Sequence, residues 1–409
     1  MLYRLAAVTL TCSLLLSCSD ESAFSDFTST TTTTTTSGGG GSDDGGGGAT
    51  TTTDTTTTPI SRLIILNTDI PLEIPDGAGG MMTAVFQNYS MGNSDASISY
   101  VLSTSDSVER IFTPTLTGVD VEIYSRPGEI VKMVTSGDGT KILNYNGRRD
   151  IIDYATGTTL AIGTALTFEN PSTITDTGDV VALTSRKDLT GANPTGSRQL
   201  FTLSTDGSEI YNQITNFNQT YPIENVIISG DGSRIIFTST ADIIGDGSNA
   251  DGSTELFAIN TDGTGLVQLT DFDAFLRPTH LSSDSNVMTM IIRDLNGASG
   301  EYLYTLNTTT SAFNEITVVP SGYLIHHDLS ADGSKAAYIG ENDFGTPSIF
   351  LVNSDGSSEL NVLTVSGTLE YLNINSDGTS ITFYSNEDFT SSLTNKNNAR
   401  QVYTLTPIF

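Results

Sequence analysis

Residues 229–265 read SGDGSRIIFTSTADIIGDGSNADGSTELFAINTDGTG, and the dipeptide Asp-Gly occurs four times in this stretch. Two apolar runs, RIIFTS and ELFAIN, lie between the first and the last copy. Asp-Gly between such runs is a hairpin signal, because Gly adopts positive φ at no steric cost and Asp accepts nearby backbone hydrogen bonds. Acidic loops also bind hard cations. The remainder of the chain decides whether these turns belong to a repeated fold or to metal sites.

A turn of the form Ser-x-Asp-Gly recurs along the chain, and each copy precedes an alternating apolar run. The copies are SGDG at 136–139 and 229–232, SADG at 330–333, NSDG at 375–378, and the weaker TDTG at 175–178, SSDS at 282–285 and NSDA at 93–96. A second hairpin follows within the unit, as in ELFAINTDGTGLVQLT at 255–270. Four antiparallel strands per unit form the blade of a β-propeller. One blade cannot cover both of its faces, so the blades must pack radially.

Counting the units predicts an all-β fold, a β-propeller of seven four-stranded blades, with six blades as the alternative. The first blade is expected at 84–125, where four β-prone runs surround a degenerate turn. The last unit has only three runs, near 369–374, 380–385 and 401–406. We therefore expect 62–67 to form the outermost strand of the last blade, paired with Val402 to Leu405, which closes the ring and removes an exposed edge.

These residues resemble the TolB-type, WD-like β-propeller repeat of bacterial envelope proteins. The resemblance rests on SGDGSRIIFTS followed by ELFAINTDGTGLVQLT, covers about residues 80–409 and is strongest at 223–270 and 323–364. It implies a propeller fold and the binding of partners, and it implies no reaction. The chain contains no Trp, unlike the eukaryotic WD repeat. The α/β domain that precedes the propeller of TolB has no counterpart here, so the chain is not expected to be TolB itself.

Residues 1–17 are predicted to be a lipoprotein signal peptide. Arg4 precedes an apolar run from Leu5 to Leu16, which has the length of a signal segment and is too short to span a bilayer. The following LLSC resembles a bacterial lipobox, which implies lipidation of Cys18; an ordinary secretion signal is the alternative. Cys12 is lost with the signal, so Cys18 has no disulfide partner. The expected location is the bacterial outer membrane, on its periplasmic side or the cell surface, with the inner membrane left open.

Residues 18–60 are predicted to be a flexible Thr/Gly-rich tether, because they lack the apolar content that a core requires. The propeller domain is then 61–409, expected to be monomeric and held at the membrane by the N-terminal lipid. The net charge is −30, from 47 acidic and 17 basic residues. Such a chain repels polyanions, which argues against nucleic acid as a partner.

The loops between the second and third strands and the crossovers between blades share one face of a propeller, and functional residues concentrate on loops. The crossovers at 270–281 and 318–329 carry aromatic residues, Arg and His, which are common anchors of protein contacts. The predicted partner-binding residues are Phe272, Phe275, Arg277, His280, Tyr323, His326 and His327. The expected partner is an envelope protein or a glycan. Packing between blades is the alternative role for each Phe.

No cofactor is expected, although the acidic loop of the opening stretch is a candidate calcium site. Its oxygen-bearing residues are Asp246, Asn249, Asp251 and Glu255, whose spacing differs from that of an EF-hand. Three of the loops between second and third strands, 185–201, 239–257 and 385–403, each contain an Asp followed by an apolar residue. These residues, Asp188, Asp242 and Asp388, are expected to cap their own loops by accepting backbone N–H bonds.

A non-catalytic role is favoured because the chain lacks GxSxG, SxxK, HExxH and Walker motifs. The alternative is a propeller enzyme, such as a polysaccharide lyase or hydrolase, with its site at the channel mouth. Some propeller lyases bind a metal in the channel through several His. Neighbouring blades are expected to bring His280 and His327 close together, but their spacing matches no known ligand pattern.

Overall fold

A computed structural model provides the fold. It describes residues 25–27, 61–65, 73–75, 81–93, 98–104, 106–113, 121–127, 132–146, 148–154, 156, 158–162, 173–217, 221–272, 274–293, 300–319, 326–341, 346–387, 389 and 401–407. Every regular element in these ranges is a β-strand. In particular, no helix long and apolar enough to cross a membrane occurs within them.

The strands form seven antiparallel sheets, here called blades 1 to 7. Blade 1 contains β3 (Glu73–Pro75), β4 (Met81–Met91), β5 (Ile98–Thr104), β6 (Val108–Thr113) and β7 (Val121–Pro127). Blade 2 contains β8 (Lys132–Thr135), β9 (Lys141–Asn146), β10 (Arg148–Asp153) and β11 (Thr159–Ile162). Blade 3 contains β12 (Thr173–Ile174), β13 (Val180–Ser185), β14 (Gln199–Ser204) and β15 (Tyr211–Gln213).

Blade 4 contains β16 (Glu224–Ile228), β17 (Arg234–Ser239), β18 (Glu255–Asn260) and β19 (Val267–Gln268). Blade 5 contains β20 (Phe275–Leu281), β21 (Val287–Arg293), β22 (Glu301–Asn307) and β23 (Phe313–Val319). Blade 6 contains β24 (His327–Leu329), β25 (Lys335–Glu341), β26 (Pro347–Asn353) and β27 (Leu360–Thr364). Blade 7 contains β28 (Leu369–Ile374), β29 (Ile381–Ser385), β30 (Gln401–Pro407), β2 (Ser61–Ile65) and β1 (Ser25–Phe27). The predicted all-β propeller of seven four-stranded blades is confirmed, with an extra short edge strand on blades 1 and 7.

The N-terminal strand β2 completes blade 7, as predicted. It pairs antiparallel with β30, with Leu63 opposite Leu405 and Ile64 opposite Thr404. The expectation that this strand is outermost is wrong, because β1 pairs with its far side and places Ser25 opposite Leu63. The range predicted as tether therefore supplies a three-residue strand. Its backbone groups pair with the N–H and C=O groups that β2 leaves free on its outer side.

The core lies between the blades, because each blade is covered on both faces. On β17, Ile235 and Phe237 pack in a cluster with residues of blade 3, whereas Ile236 packs with residues of blade 5. Successive side chains of a strand point to opposite faces, so a strand buried on both faces is a continuous apolar run. This is why RIIFTS reads as a run rather than as an apolar–polar alternation.

The Ser-x-Asp-Gly turns are built as the sequence predicts. Asp231 Oδ1 accepts hydrogen bonds from Ser229 Oγ at 2.6 Å and from Ser233 N at 2.9 Å. Gly232 N donates to Ser229 O at 2.9 Å, and Gly232 has a φ of 72°. The side chain of Asp thus holds the turn while Gly supplies the left-handed backbone. These contacts assign the first Asp-Gly of the opening stretch to a hairpin turn.

A closed circle of seven backbone hydrogen bonds joins the first turns of all blades. The bonds run from Asn93 N to Gly137 O, Asp138 N to Asp176 O, Asp176 N to Gly230 O, Asp231 N to Ser283 O, Ser283 N to Ala331 O, Asp332 N to Ser376 O, and Ser376 N to Asn93 O. Their lengths lie between 2.7 and 3.0 Å. One bond for each pair of neighbouring blades excludes the six-blade alternative. We call these turns the turn ring.

We predict that Gly232→Ala lowers the free energy of unfolding by about 1–2 kcal/mol, the usual cost of a Cβ in the left-handed region. Gly333→Ala should cost more, because its φ is 71° and the new Cβ would lie 3.0 Å from the Cβ of Ser282. Gly207→Ala is the matched control for the contact with Ser282. Its φ is 87° and no atom lies within 4 Å of the new Cβ, so this variant shows the cost of the left-handed backbone alone. Urea unfolding measures all three, and equal stability of the wild type and Gly232→Ala would contradict the turn assignment.

Candidate functional site

The turn ring and the loops lie at opposite ends of the central channel. The second hairpin turns join the same end as the ring, because Thr205 N donates to Asp179 O at 2.9 Å and Thr261 N donates to Ser233 O at 3.0 Å. The innermost strand β20 runs from Phe275 towards the ring. At about 3.3 Å per residue, its first residue lies roughly 20 Å from the ring. Phe275 therefore stands at the opposite end, which is the loop-rich mouth of the channel.

Phe275 and Arg277 form the exposed part of the mouth. Phe275 is 50% exposed, and the guanidinium carbon of Arg293 lies 5.7 Å from the centre of its ring. Arg293 is itself paired with Glu301, with Nε 2.5 Å from Oε1. Arg277 is exposed and has no hydrogen bond or ion pair within the described part of the chain. Within the described residues, Phe275 thus offers an apolar ring and Arg277 a cation without a hydrogen bond or ion pair.

His326 and Tyr371 continue the mouth on the next two blades. Their ring centres are 4.8 Å apart, and Tyr371 also meets Tyr384 edge-on at 5.7 Å. Tyr371 occupies a bulge in β28 and has a φ of 48°. A left-handed tyrosine is uncommon, and such strain concentrates at functional sites. The sequence LEYLNI carries no bulge signal, so the sequence analysis missed this residue.

Equivalent positions on blades 5, 6 and 7 place His280, Asp328 and Asn373 side by side on the channel wall. His280 Nε2 lies 3.5 Å from Asp328 Oδ1, and Asn373 Nδ2 donates to Asp328 Oδ2 at 3.1 Å. Asp328 also accepts bonds from the backbone N–H groups of Ile374 at 3.0 Å and Leu329 at 2.8 Å. The buried carboxylate therefore connects three blades. The sequence analysis missed Asp328, although it directly follows His327.

The predicted proximity of His280 and His327 is confirmed, with ring centres 5.4 Å apart. His327 is buried, and its Nε2 has no hydrogen-bond partner among the described residues. Burial lowers the pKa of His327 well below 6.5, and repulsion from His280, Arg277 and His326 lowers it further. Burial also lowers the pKa of His326 to about 4. Both imidazoles are therefore neutral at pH 7.

We predict that stability falls between pH 6.5 and pH 5. A histidine whose folded-state pKa is lowered contributes stability above its unfolded pKa, and this contribution is lost as the pH falls towards the folded value. The pKa values of His326 and His327 are both lowered, so both residues should contribute to this loss. Urea unfolding at several pH values measures this loss, and His327→Leu should flatten the dependence. An unchanged slope in the variant would show that His327 is not its source.

The channel encloses a cavity of about 510 Å³ lined by the innermost strands. Its end at the turn ring is filled by the side chain of Asp176, which lies between Gly137 and Gly230. A Cβ at either glycine would overlap the Asp176 carboxylate. Ser283 Oγ donates a short hydrogen bond to Asp176 Oδ2. Asp176 is the second residue of the weak turn TDTG, so only the turn pattern pointed to its position.

Phe272 is a predicted site residue that lies away from the mouth. Phe272 packs edge-on against Phe313 at 5.2 Å, and Phe313 belongs to the outermost strand β23. Phe272 therefore lies at the outer rim between blades 4 and 5, where inter-blade packing explains it. The structure thus places Phe272 away from the mouth, because the crossover runs from the outer edge of one blade to the centre of the next; its role in partner binding stays a prediction. Tyr323 falls outside the described residues.

The candidate calcium residues serve the loop that carries them. Asp246 accepts a bond from Ser248 N at 2.9 Å, and Asp251 accepts one from Ser253 N at 3.1 Å. Asn249 donates through Nδ2 to Ser253 O at 3.1 Å. No group of three or more His, Cys, Asp or Glu residues within the described ranges is placed to hold a metal ion.

The role of Glu255 is shown by the equivalent residue of blade 3. Glu255 is buried, which raises the pKa of its carboxyl, and it accepts bonds from Thr270 Oγ1 and from Phe272 N. In blade 3, Gln199 accepts the same two bonds, from Thr215 Oγ1 at 2.7 Å and Phe217 N at 3.0 Å. The neutral Gln199 accepts the same two bonds, so these bonds explain a buried side chain at this position by its contact with the crossover.

The predicted capping role of the loop aspartates is confirmed for two of the three. Asp242 accepts bonds from the N–H groups of Gly245 at 2.9 Å and Gly247 at 2.8 Å. Asp188 accepts a bond from Asn193 N at 2.9 Å. Asp388 lies outside the described residues.

Neither a protein-family model nor a curated protein sequence matches the chain. Among solved structures it is similar to an oligogalacturonate lyase in complex with manganese, at 15% identity and a TM-score of 0.55, covering 84% of this chain and 97% of that one. An oligogalacturonate lyase from Vibrio parahaemolyticus gives 11% identity and a TM-score of 0.55, covering 85% and 97%. TolB from Acinetobacter baumannii gives 17% identity and a TM-score of 0.43, covering 71% and 65%. At these identities the lyase structures support the propeller fold alone.

Proposed function

We propose that this chain is a non-catalytic propeller of the bacterial envelope that binds a protein or glycan partner at its loop-rich mouth. The observation that carries the proposal is that a half-exposed Phe275 and an exposed Arg277 lie on the same strand, and that Arg277 has no hydrogen bond or ion pair to the residues that the structure describes. Aromatic residues and Arg are the residues most often found as binding anchors. On the opposite face, the turn carboxylates of Asp231 and Asp332 already accept hydrogen bonds from their own backbone.

The test is capture of a partner from membrane extracts by the soluble fragment 61–409. Phe275→Ala and Arg277→Ala should each weaken capture at least tenfold without a large loss of stability. Phe313→Ala is the matched control, because it removes an equally exposed ring, 48% exposed, at the outer rim. Equal capture by Phe275→Ala and Phe313→Ala would contradict the proposal.

Anchoring is supported by the sequence of the first 18 residues. A lipid on Cys18 would hold the domain at the membrane, since each buried CH₂ contributes roughly 0.8 kcal/mol. Cys18→Ala should release the protein from membranes or leave an uncut precursor. Unchanged fractionation and processing would contradict lipidation.

A lyase or hydrolase is the alternative, because one similar structure is an oligogalacturonate lyase in complex with manganese. His280 Nδ1 and His327 Nε2 are buried ring nitrogens without partners among the described residues. They do not make a metal site there, since no third His, Cys, Asp or Glu completes the group. Manganese, zinc or iron at near stoichiometry in the purified protein would favour the enzyme over the binding propeller.

A further inference from the structure

We propose that the central channel is a blind pocket that binds an aliphatic ammonium, with the charged nitrogen at Asp176 and the apolar chain along the channel wall. The inference goes beyond partner binding at the mouth, because it concerns the interior of the channel and a small ligand.

The Asp176 side chain narrows the pocket at the turn ring. The circle of backbone hydrogen bonds joins all seven blades at the turn end, and the Asp176 side chain fills the space between Gly137 and Gly230. We therefore place the entrance at the loop end of the channel and Asp176 at the floor. A cavity of about 510 Å³ falls within the range of pockets that hold small organic ligands.

Asp176 is not needed to hold its own turn. In blade 3 the turn is held by Asp179 instead, which accepts hydrogen bonds from Thr175 Oγ1 at 2.7 Å and Thr177 Oγ1 at 2.6 Å. The equivalent ring position elsewhere carries a residue without charge; these are Asn93, Gly137, Gly230, Ser283, Ala331 and Ser376. The carboxylate at 176 is thus an addition to the repeat.

The Asp176 carboxylate has capacity left for a ligand. Among the described residues it accepts one side-chain hydrogen bond, from Ser283, whereas a carboxylate offers about four acceptor sites. Asp328 differs, since three N–H groups already occupy it. Of the two carboxylates in the described lining, Asp176 therefore has more acceptor sites left for a ligand.

The described lining selects a cation with an apolar body. It contains the carboxylates of Asp176 and Asp328 and no Lys or Arg. The apolar lining residues are Met91, Met133, Val134, Ile174, Ile227, Ile228, Leu281, Leu329 and Ile374. A charge inside a narrow cavity requires an opposite charge, because its interaction with water is lost. In a primary ammonium on an extended alkyl chain, the charged nitrogen pairs with the Asp176 carboxylate and the alkyl chain packs against the apolar lining residues.

The experiment is isothermal titration of the full-length protein with hexylamine, and with hexanol and hexanoate as neutral and anionic probes of similar shape. Hexylamine should bind one to one, and the other two probes should bind at least tenfold more weakly. Asp176→Asn keeps the size of the side chain and removes its charge, so it should weaken hexylamine binding at least tenfold. Asp246→Asn is the matched control, because it removes the same charge from an exposed loop.

Hexylamine binding that is equal in the wild type and Asp176→Asn would overturn the proposal. An equal loss in both Asn variants would also overturn it, because the general negative field of the protein would then explain binding. Ser283→Ala keeps the test decisive if Asp176→Asn fails to fold. This variant removes the hydroxyl that competes for the carboxylate, so binding should be retained or strengthened, and its loss would contradict the assigned site.

Discussion

Deleting residues 61–68 should produce a domain that aggregates and shows no cooperative unfolding transition. The deletion removes β2, which pairs with β30 over five residues from Ser61 to Ile65. The N–H and C=O groups on the outer side of β30 then form an open edge, which is a template for intermolecular pairing. In the wild type, the pairing of β2 with β30 connects segments far apart in the sequence and closes the ring. Its loss should therefore destabilise every blade. Size-exclusion chromatography and thermal unfolding measure the result.

Deletion of residues 19–58 is the control, because it keeps β2, and the three-residue β1 is the described strand that it removes. It should leave a monomer whose unfolding midpoint is close to that of the wild type. If the 61–68 deletion unfolds cooperatively at the wild-type midpoint, the N-terminal strand does not close the propeller.

Asp328→Ala should lower the free energy of unfolding by about 3 kcal/mol or more. Its carboxylate accepts bonds from Ile374 N and Asn373 Nδ2 of blade 7 and lies beside His280 of blade 5. Removing it leaves these donors buried without an acceptor, and each unsatisfied donor costs about 1–3 kcal/mol. Urea unfolding at pH 7.5 gives the difference directly.

Thr173→Val provides a matched comparison at the equivalent position of blade 3. Thr173 Oγ1 accepts one inter-blade bond, from Ile228 N at 2.7 Å. Its loss should cost about 1–3 kcal/mol, less than the loss of Asp328. A cost for Asp328→Ala no greater than that for Thr173→Val would show that Asp328 does not connect three blades.

The fold could be predicted in detail because its signals are local and repeated. Each Ser-x-Asp-Gly turn fixes a hairpin within a few residues, as Asp231 and Gly232 show. The long-range pairing of β2 was also predictable, because a missing strand in the last unit and a spare strand before the first leave one solution. The short strand β1 was not, since three residues in a Thr/Gly-rich segment carry no strand pattern.

The candidate site was predictable only in part, because its geometry depends on contacts between blades. The aromatic and basic crossovers pointed to Phe275 and Arg277, but they also pointed to Phe272, which lies at the outer rim. Asp176 and Tyr371 were missed because their importance arises from the turn ring and from a bulge in β28. A short stretch of sequence predicts neither the hydrogen bonds between seven distant turns nor the left-handed backbone of a tyrosine.

Hydrogen–deuterium exchange of the propeller with and without its captured partner tests the binding face most directly. The account predicts slower exchange in the partner complex at 275–281, 326–329 and 369–374, which form the mouth and the adjoining channel wall. Exchange at the turns 229–232 and 330–333 should be unchanged. Protection confined to those turns, with none at 275–281, would contradict binding at the loop-rich mouth.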